Sequence, residues 1–362
     1  MIKFLHAADL HLDSAFSGLP AEKAAERRRQ QRQLIRRIAD LCNDNDCDLM
    51  LLSGDLFDSE NAYPETIEAL VSALADCRAR VFIAPGNHDY LRTGSPYRTA
   101  PWSDNVYVFD GDRMTAFPMP DLGCTVYGMG FTQSECPALL GGFTVANEDD
   151  GYTNIMVLHG EVGNPSSKYN PIAESEIAAS GLDYLALGHV HECAEKRAGK
   201  TVYAYPGCPM GRGFDECGEK GVLLGEISAN GCQTRFVTLD APRYVKLSVA
   251  VGGDALAAIE AALPADTQND IYRIVLTGES DPIQTAPLYD ALAPRFYALQ
   301  LRDDTIPRVN LWDGSGETTL RGCFLAKMRE QYDAADAETK PLILDATRRG
   351  LDAIDGREED VL

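Results

Sequence analysis

Five short apolar runs between Phe4 and His191 each end in metal-binding residue types, and this pattern constrains the fold more than any other feature of the chain. Phe4-Leu5-His6-Ala7-Ala8 leads into Asp9-Leu10-His11, and Leu49-Met50-Leu51-Leu52-Ser53 into Gly54-Asp55. Val81-Phe82-Ile83-Ala84-Pro85 leads into Gly86-Asn87-His88-Asp89. Ile155-Met156-Val157-Leu158 ends at His159, and Leu185-Ala186-Leu187-Gly188 at His189-Val190-His191. Short apolar runs bounded by turn residues read as buried strands. Open α/β sheets place their sites beyond the carboxyl ends of such strands. Five strands ending this way converge their side chains on one cleft. Asp9 with His11, and His189 with His191, are spaced i, i+2, which in extended backbone points both side chains the same way.

Five of the six histidines fall in these motifs. The ligand set mixes carboxylate, imidazole and one amide, without thiolate. That suits Mn, Fe or Zn better than a soft-thiolate or an all-oxygen site. Two divalent ions roughly 3.5–4 Å apart can clamp a phosphate and generate a nucleophile near neutral pH, which makes a two-metal phosphoesterase the leading reading. Glycines 54, 86, 160 and 188 fit turns where the backbone bends sharply or approaches the ions. His6 is out of phase with Asp9 and His11 and reads as a hydrogen-bonded core residue. Asp58, three residues beyond Asp55, reads as a supporting or capping group.

Strands are predicted at Ile2–Ala7, Leu49–Ser53, Val81–Ala84, Val106–Phe109, Thr125–Gly128, Ile155–Leu158, Tyr184–Leu187 and Val202–Tyr205. Val222–Ile227 and Arg235–Leu239 flank Ala229-Asn230-Gly231 and read as a hairpin. Helices are predicted at Ala21–Cys42, Pro64–Cys77 and Ile172–Ser180. Asp240-Ala241-Pro242 looks like a boundary between residues 1–240 and a smaller α/β unit, 241–362. There, strands at Tyr244–Val251, Ile271–Thr277 and Phe296–Leu301 alternate with helices at Ala255–Leu263 and Pro287–Ala293. A helix follows Thr318, and a last one spans Leu342–Ile354, with Gly356 as its stop.

The motifs Asp9-x-His11, Gly54-Asp55-Leu56-Phe57-Asp58, Gly86–Asp89, His159 and Gly188–His191, in this order, resemble the calcineurin-like metallophosphoesterases. His6–Ser14 resembles the opening of bacterial DNA-repair exonucleases of the SbcD/YhaO type. Tyr205-Pro206-Gly207, Gly211-Arg212 and Gly218–Gly221 resemble the segment that follows the last motif in that group. The resemblance implies a four-layer αββα sandwich of two mixed sheets, with a smaller α/β capping domain. It implies one ion held by Asp9, His11, Asp55 and His191, and a second by Asp55, Asn87, His159 and His189, so that Asp55 bridges. It further implies that hydroxide attacks phosphorus in line, that His88 serves the departing oxygen, and that Asp89 orients His88. Two divalent ions are implied, Mn first, with Fe, Zn or Mg as alternatives. The implied partners are a DNA end and an SMC-like ATPase, and relatives of this kind dimerise.

The formal charge of −22 works against a protein that binds nucleic acid over its whole surface. A local basic feature does exist. Arg28, Arg32 and Arg36 recur at i, i+4 and i+8 on one helix face. They read either as a track for a phosphate backbone or as a solvated face pairing with acids such as Glu22 and Glu26. Arg212 and Tyr169 are candidate substrate contacts through their nearness to the motifs, while Tyr90 reads as packing. The ten cysteines include no C-x-x-C pair and read as reduced thiols. No apolar run reaches membrane-spanning length and the N-terminus has no tripartite signal, so a cytoplasmic chain without membrane contact is expected. A small-molecule phosphoesterase, acting on cyclic nucleotides or phosphomonoesters, and a non-catalytic subunit tethering an ATPase are the competing readings.

Overall fold

The computed structural model describes residues 1–59, 61–146, 151–307 and 311–355. In chain order the first part contains β1 (Ile2–Ala7), α1 (Ala21–Asp44), β2 (Leu49–Leu52), α2 (Pro64–Ala75), β3 (Arg80–Ile83), α3 (Pro96–Thr99), β4 (Val106–Val108), β5 (Thr115–Met119), β6 (Cys124–Gly128) and β7 (Thr153–His159). Then come β8 (Glu161–Val162), β9 (Pro171–Ile172), α4 (Glu174–Ala179), β10 (Tyr184–Gly188), β11 (Ala194–Ala198), β12 (Thr201–Tyr205), β13 (Gly221–Ser228) and β14 (Gly231–Thr238). The remainder is β15 (Tyr244–Ala250), α5 (Ala255–Ala262), β16 (Ile271–Thr277), β17 (Glu279–Ser280), α6 (Thr285–Leu292), β18 (Ala298–Asp303), β19 (Ile306–Pro307), α7 (Leu320–Ala334) and α8 (Thr339–Ile354). The stop assigned to Gly356 lies outside the described residues.

Two six-stranded mixed sheets carry the architecture, in the orders β14-β13-β1-β2-β3-β4 and β11-β12-β10-β7-β6-β5. Strands β1 to β4 run parallel, and β13 closes antiparallel on β1. In the second sheet β6, β7, β10 and β12 are parallel, with antiparallel β5 and β11 at the edges. The β13–β14 hairpin pairs Ser228 with Gly231 around a two-residue turn, Ala229-Asn230.

The near-continuous apolar runs are explained by burial on both faces, as parallel strands require. Leu5, Ala7, Met50 and Leu52 face outward onto α1 and α2, meeting Leu34, Ile35, Ile38, Leu70 and Leu74. Their neighbours in the pleat, Phe4, Leu49 and Leu51, face inward and meet Val126, Ile155, Val157, Tyr184 and Ala186 of the second sheet. The outer face of that sheet, with Met156, Leu158, Leu185 and Leu187, is covered by Ile177 of α4. These three apolar clusters give the four-layer αββα sandwich.

The chain divides into two compact units: Met1–Leu247 with Pro264–Ile274 and Asp290–Gln300, and Ser248–Leu263 with Val275–Tyr289 and Leu301–Leu362. Three stretches beyond the Asp240-Ala241-Pro242 boundary, 243–247, 264–274 and 290–300, therefore belong with the first unit. In the second unit, Asp254 caps α5 by accepting from the Leu256 and Ala257 amides, and Thr319 caps α7 by accepting from the Gly322 amide. No helix among the described residues is long and apolar enough to cross a membrane.

Phe82 is fully buried between the sheets, its ring stacked 5.0 Å from Tyr107. Phe82→Ala is expected to lower unfolding free energy by about 3–5 kcal/mol, read as a shift of the urea midpoint.

Candidate metal centre

The residues that follow β1 and β2 continue the sheet's pairing after the strands have ended. The Asp9 amide donates to the Gly54 carbonyl at 3.0 Å, His11 to Asp55 at 2.9 Å, and Leu12 to Leu56 at 2.8 Å. Along this ribbon Asp9, His11 and Asp55 have φ of 53°, 43° and 50°, and His189 after β10 has φ of 103°. The convergence of Asp9 with His11 therefore comes from a left-handed backbone, not from the extended one assumed on sequence grounds. Such a conformation costs a non-glycine residue roughly 1–2 kcal/mol. Two glycines permit the close approach. A Cβ on Gly86 would stand 2.2 Å from the Asp55 carboxylate, and one on Gly188 would stand 2.0 Å from the Ser53 carbonyl.

The structure brings all seven expected ligands together. Asp9, His11 and His191 each bring one ligand atom within 4.8 Å of the others, and so do Asp9, Asp55 and His159. His11 Nε2 and His191 Nε2 are 3.3 Å apart. His191 Nε2 lies 3.7 Å from Asp9, and Asp55 Oδ2 lies 3.8 Å from His11 Nε2 and 3.4 Å from His159 Nε2. Asn87 Oδ1 is 2.9 Å from His159 Nε2 and 3.2 Å from His189 Nδ1. Asp55 thus touches both groups of ligands.

The outer nitrogens of three imidazoles face acceptors. His159 Nδ1 donates to the Ser53 carbonyl at 2.9 Å, and His191 Nδ1 to Glu216 at 2.7 Å, while Asp58 Oδ1 stands 3.1 Å from His11 Nδ1. The Ser53 carbonyl and Glu216 hold a proton of His159 and of His191 on Nδ1, as ligation through Nε2 requires. The Nε2 atoms of His11 and His191, 3.3 Å apart, are close enough to be joint ligands of one ion. His159 Nε2 faces the side-chain oxygens of Asn87 and Asp55. The charges agree with this. Burial, which Asp55 reinforces, raises the Asp9 carboxyl to about 6. For His159 burial acts downward, but Asp55 and Asp9 outweigh it and lift the imidazole to about 9. The centre therefore calls for positive charge, and its donors fit two divalent ions.

His88 is exposed beside this centre, its ring 4.8 Å from that of His11 and its Nδ1 3.1 Å from the Asp58 carbonyl. Asp89 does not reach it. The Asp89 carboxylate is buried and accepts from the Gly86 amide at 2.8 Å, the Phe57 amide at 3.1 Å and the Tyr97 hydroxyl. It braces the loop carrying Asn87 and His88, and the Asp58 carbonyl holds the His88 ring in its place. Arg32 is paired with Asp13, and Arg36 with Asp40 and Asp76, so neither is a free cation. Arg28 is exposed and donates to the Ala15 carbonyl. Arg212 does lie at the site, but Glu216 and Asp58 already engage its guanidinium. The Tyr169 ring sits 5.0 Å from that of His189, Tyr90 is half-buried, and His6 bridges Tyr184 and Ser53 deep in the sandwich.

Sequence reasoning missed Glu216, Asn170 and the Ser53 carbonyl. Glu216 is 5% exposed, and although burial acts upward, His191 and Arg212 hold its carboxyl well below the ordinary range. Asn170 donates from Nδ2 to the His159 carbonyl at 2.8 Å. The one available signal was Glu216 standing four residues after Arg212.

The sandwich of two mixed sheets, with seven Asp, Asn and His side chains gathered from strand ends of both, has the donors of a dinuclear metal centre. The chain belongs to the calcineurin-like phosphoesterase family, whose model matches residues 2–193. It is 29% identical over 248 residues to an uncharacterized metallophosphoesterase, YhaO, of Bacillus subtilis, covering 65% of this chain and 60% of that one. It is 25% identical over 202 residues to the DNA double-strand break repair protein Mre11 of Saccharolobus solfataricus, covering 53% of this chain and 50% of that one. The chain thus spans between half and three-fifths of the length of these relatives. A dimetal phosphatase from Danio rerio aligns with 66% of this chain and 98% of its own at 11% identity and a TM-score of 0.45.

Glu216→Gln is expected to weaken binding of the ion at His191 by about 10–100-fold, because His191 loses the carboxylate that orients it. Metal titration by calorimetry checks this, with a melting curve to confirm the fold.

Proposed function

We propose that the chain is a metal-dependent phosphodiesterase that cuts DNA at ends, as the nuclease subunit of a repair assembly with an SMC-like ATPase. The observation that carries the hydrolytic part is the placement of Asp55 between two ligand groups, with an exposed imidazole, His88, beside them. When bound, the two ions supply Lewis acidity and a nucleophile at neutral pH. Asp9, His11, Asp55 and His191 would hold one, and Asp55, Asn87, His159 and His189 the other. The Asp58 carbonyl orients the His88 ring, which donates a proton to the departing oxygen. Asp89 keeps the Asn87–His88 loop in place from beneath. The donor set, rich in imidazole and carboxylate, favours Mn, with Fe, Zn and Mg as the ions to compare.

DNA as substrate is supported by likeness to a relative named for double-strand break repair. The net charge of −22 and the pairing of Arg32 and Arg36 with acids favour a second reading, a small phosphoester such as a cyclic nucleotide. On the DNA reading, affinity is weak for the isolated chain and falls steeply with salt, and the ATPase subunit or a second copy supplies further contacts.

With Mn, the protein is expected to turn over bis(p-nitrophenyl) phosphate and to shorten duplex or single-stranded DNA from its ends. Asp55→Asn is expected to abolish both activities, and His88→Ala to lower kcat by about 10²–10⁴-fold with metal content unchanged. Rapid turnover of a cyclic-nucleotide panel with intact DNA ends would give the site to the small-molecule reading.

A further inference from the structure

A cleft of about 370 Å³ opens beside the metal centre, lined by the Ser14–Gly18 loop, Asp58, the 212–216 segment, Tyr244, Arg273 and Gln300, all within the first compact unit. It begins at the groups that support the ligands. Asp58 stands against His11, Glu216 against His191, and Arg212 Nη2 lies 3.3 Å from the His191 ring. Its cations differ in one respect. Arg212 is engaged by two carboxylates, Glu216 and Asp58. Among the described residues no carboxylate lies within ion-pair distance of Arg273. Its Nε and Nη2 donate to the neutral Oε1 of Gln300 at 3.0 and 2.9 Å, and its guanidinium lies 4.0 Å over the Phe214 ring. Gln300 is itself tied to the loop, donating from Nε2 to the Gly18 carbonyl at 3.2 Å. The guanidinium is thus held flat and half-exposed by an amide and a ring, neither of which neutralises it. In a chain of net charge −22, whose Arg32, Arg36 and Arg212 are all paired with acids, a positioned arginine without a carboxylate is a site for an external anion.

We propose that this cleft is the subsite for a phosphate flanking the scissile one, with Arg273 as its cation, so that the enzyme selects phosphodiester chains over isolated phosphoesters. This rests on the phosphodiesterase reading and deepens it. The exposed Asp215 on the rim repels a chain that enters there, so the subsite draws its selectivity from the fixed direction of Arg273 and not from net charge.

The test compares binding and turnover. In a His88→Ala background with Mn, a fluorescent 5′-phosphorylated thymidine tetranucleotide and inorganic phosphate are titrated against Arg273 and against the Arg273→Gln and Arg273→Lys variants. Expected is a loss of affinity at least about tenfold greater for the tetranucleotide than for phosphate in Arg273→Gln, with partial recovery in Arg273→Lys, and a tetranucleotide-specific rise in KM when His88 is restored. Equal losses for both ligands, or none for either, would overturn the proposal. If the parent protein turned over neither a minimal diester nor the tetranucleotide, the hydrolytic reading would fail by itself. The binding difference would still decide for or against the subsite.

Discussion

Two carboxylates, Asp9 and Asp55, are buried to 1% and 2% exposure within reach of each other, and the site is organised around that repulsion. Buried like charges are held ionised only by compensating positive charge. Here that compensation would come from bound ions, for which the His159 and His191 rings, tied outward to the Ser53 carbonyl and Glu216, present their inward nitrogens. The left-handed backbone at Asp9, His11, Asp55 and His189 persists because neighbouring elements determine it from several sides. The amides of Asp9 and His11 are bonded to carbonyls of the next loop, and the His189 amide donates to Asp9 itself.

The central strands were legible because burial on both faces leaves no choice but apolar residues, and their predicted ends differ from the observed ones by a residue or two. The edge strands β5 and β11 were not. Glu195, Lys196 and Arg197 of β11 are exposed, and β5 is short and interrupted by Pro118, so neither sequence carries a strong strand signal. The candidate ligands were legible for a chemical reason, since few side chains bind a divalent ion. Their supports were not, because a backbone carbonyl such as that of Ser53 leaves no trace in a sequence, and Glu216 meets His191 only through the tertiary fold.

The arginines of α1 show the same limit from the other side. Their spacing correctly places them along one helix, but their acidic partners include Asp13 before the helix and Asp76 at the end of α2, which helical periodicity does not reveal. Arg27, adjacent in sequence, is fully buried and donates to the Gly211 and Pro242 carbonyls. A charge run therefore divides into a strut and surface ion pairs, while Arg273, which stands in no run, is held in its cleft by Gln300 and Phe214.

The seven ligands are divided between the two sheets: Asp9, His11, Asp55 and Asn87 follow strands of the first, and His159, His189 and His191 belong to strands or strand ends of the second. The interleaved side chains of Phe4, Leu49, Val126, Ile155 and Tyr184 are therefore the spacer of a gauge, and the span between the side chains that the two sheets contribute is what it sets. An enzyme built this way loses its calibration before it loses its shape. Warming or pressure that slides one layer against the other by a fraction of an ångström would detune the pair of ions while both sheets remain intact.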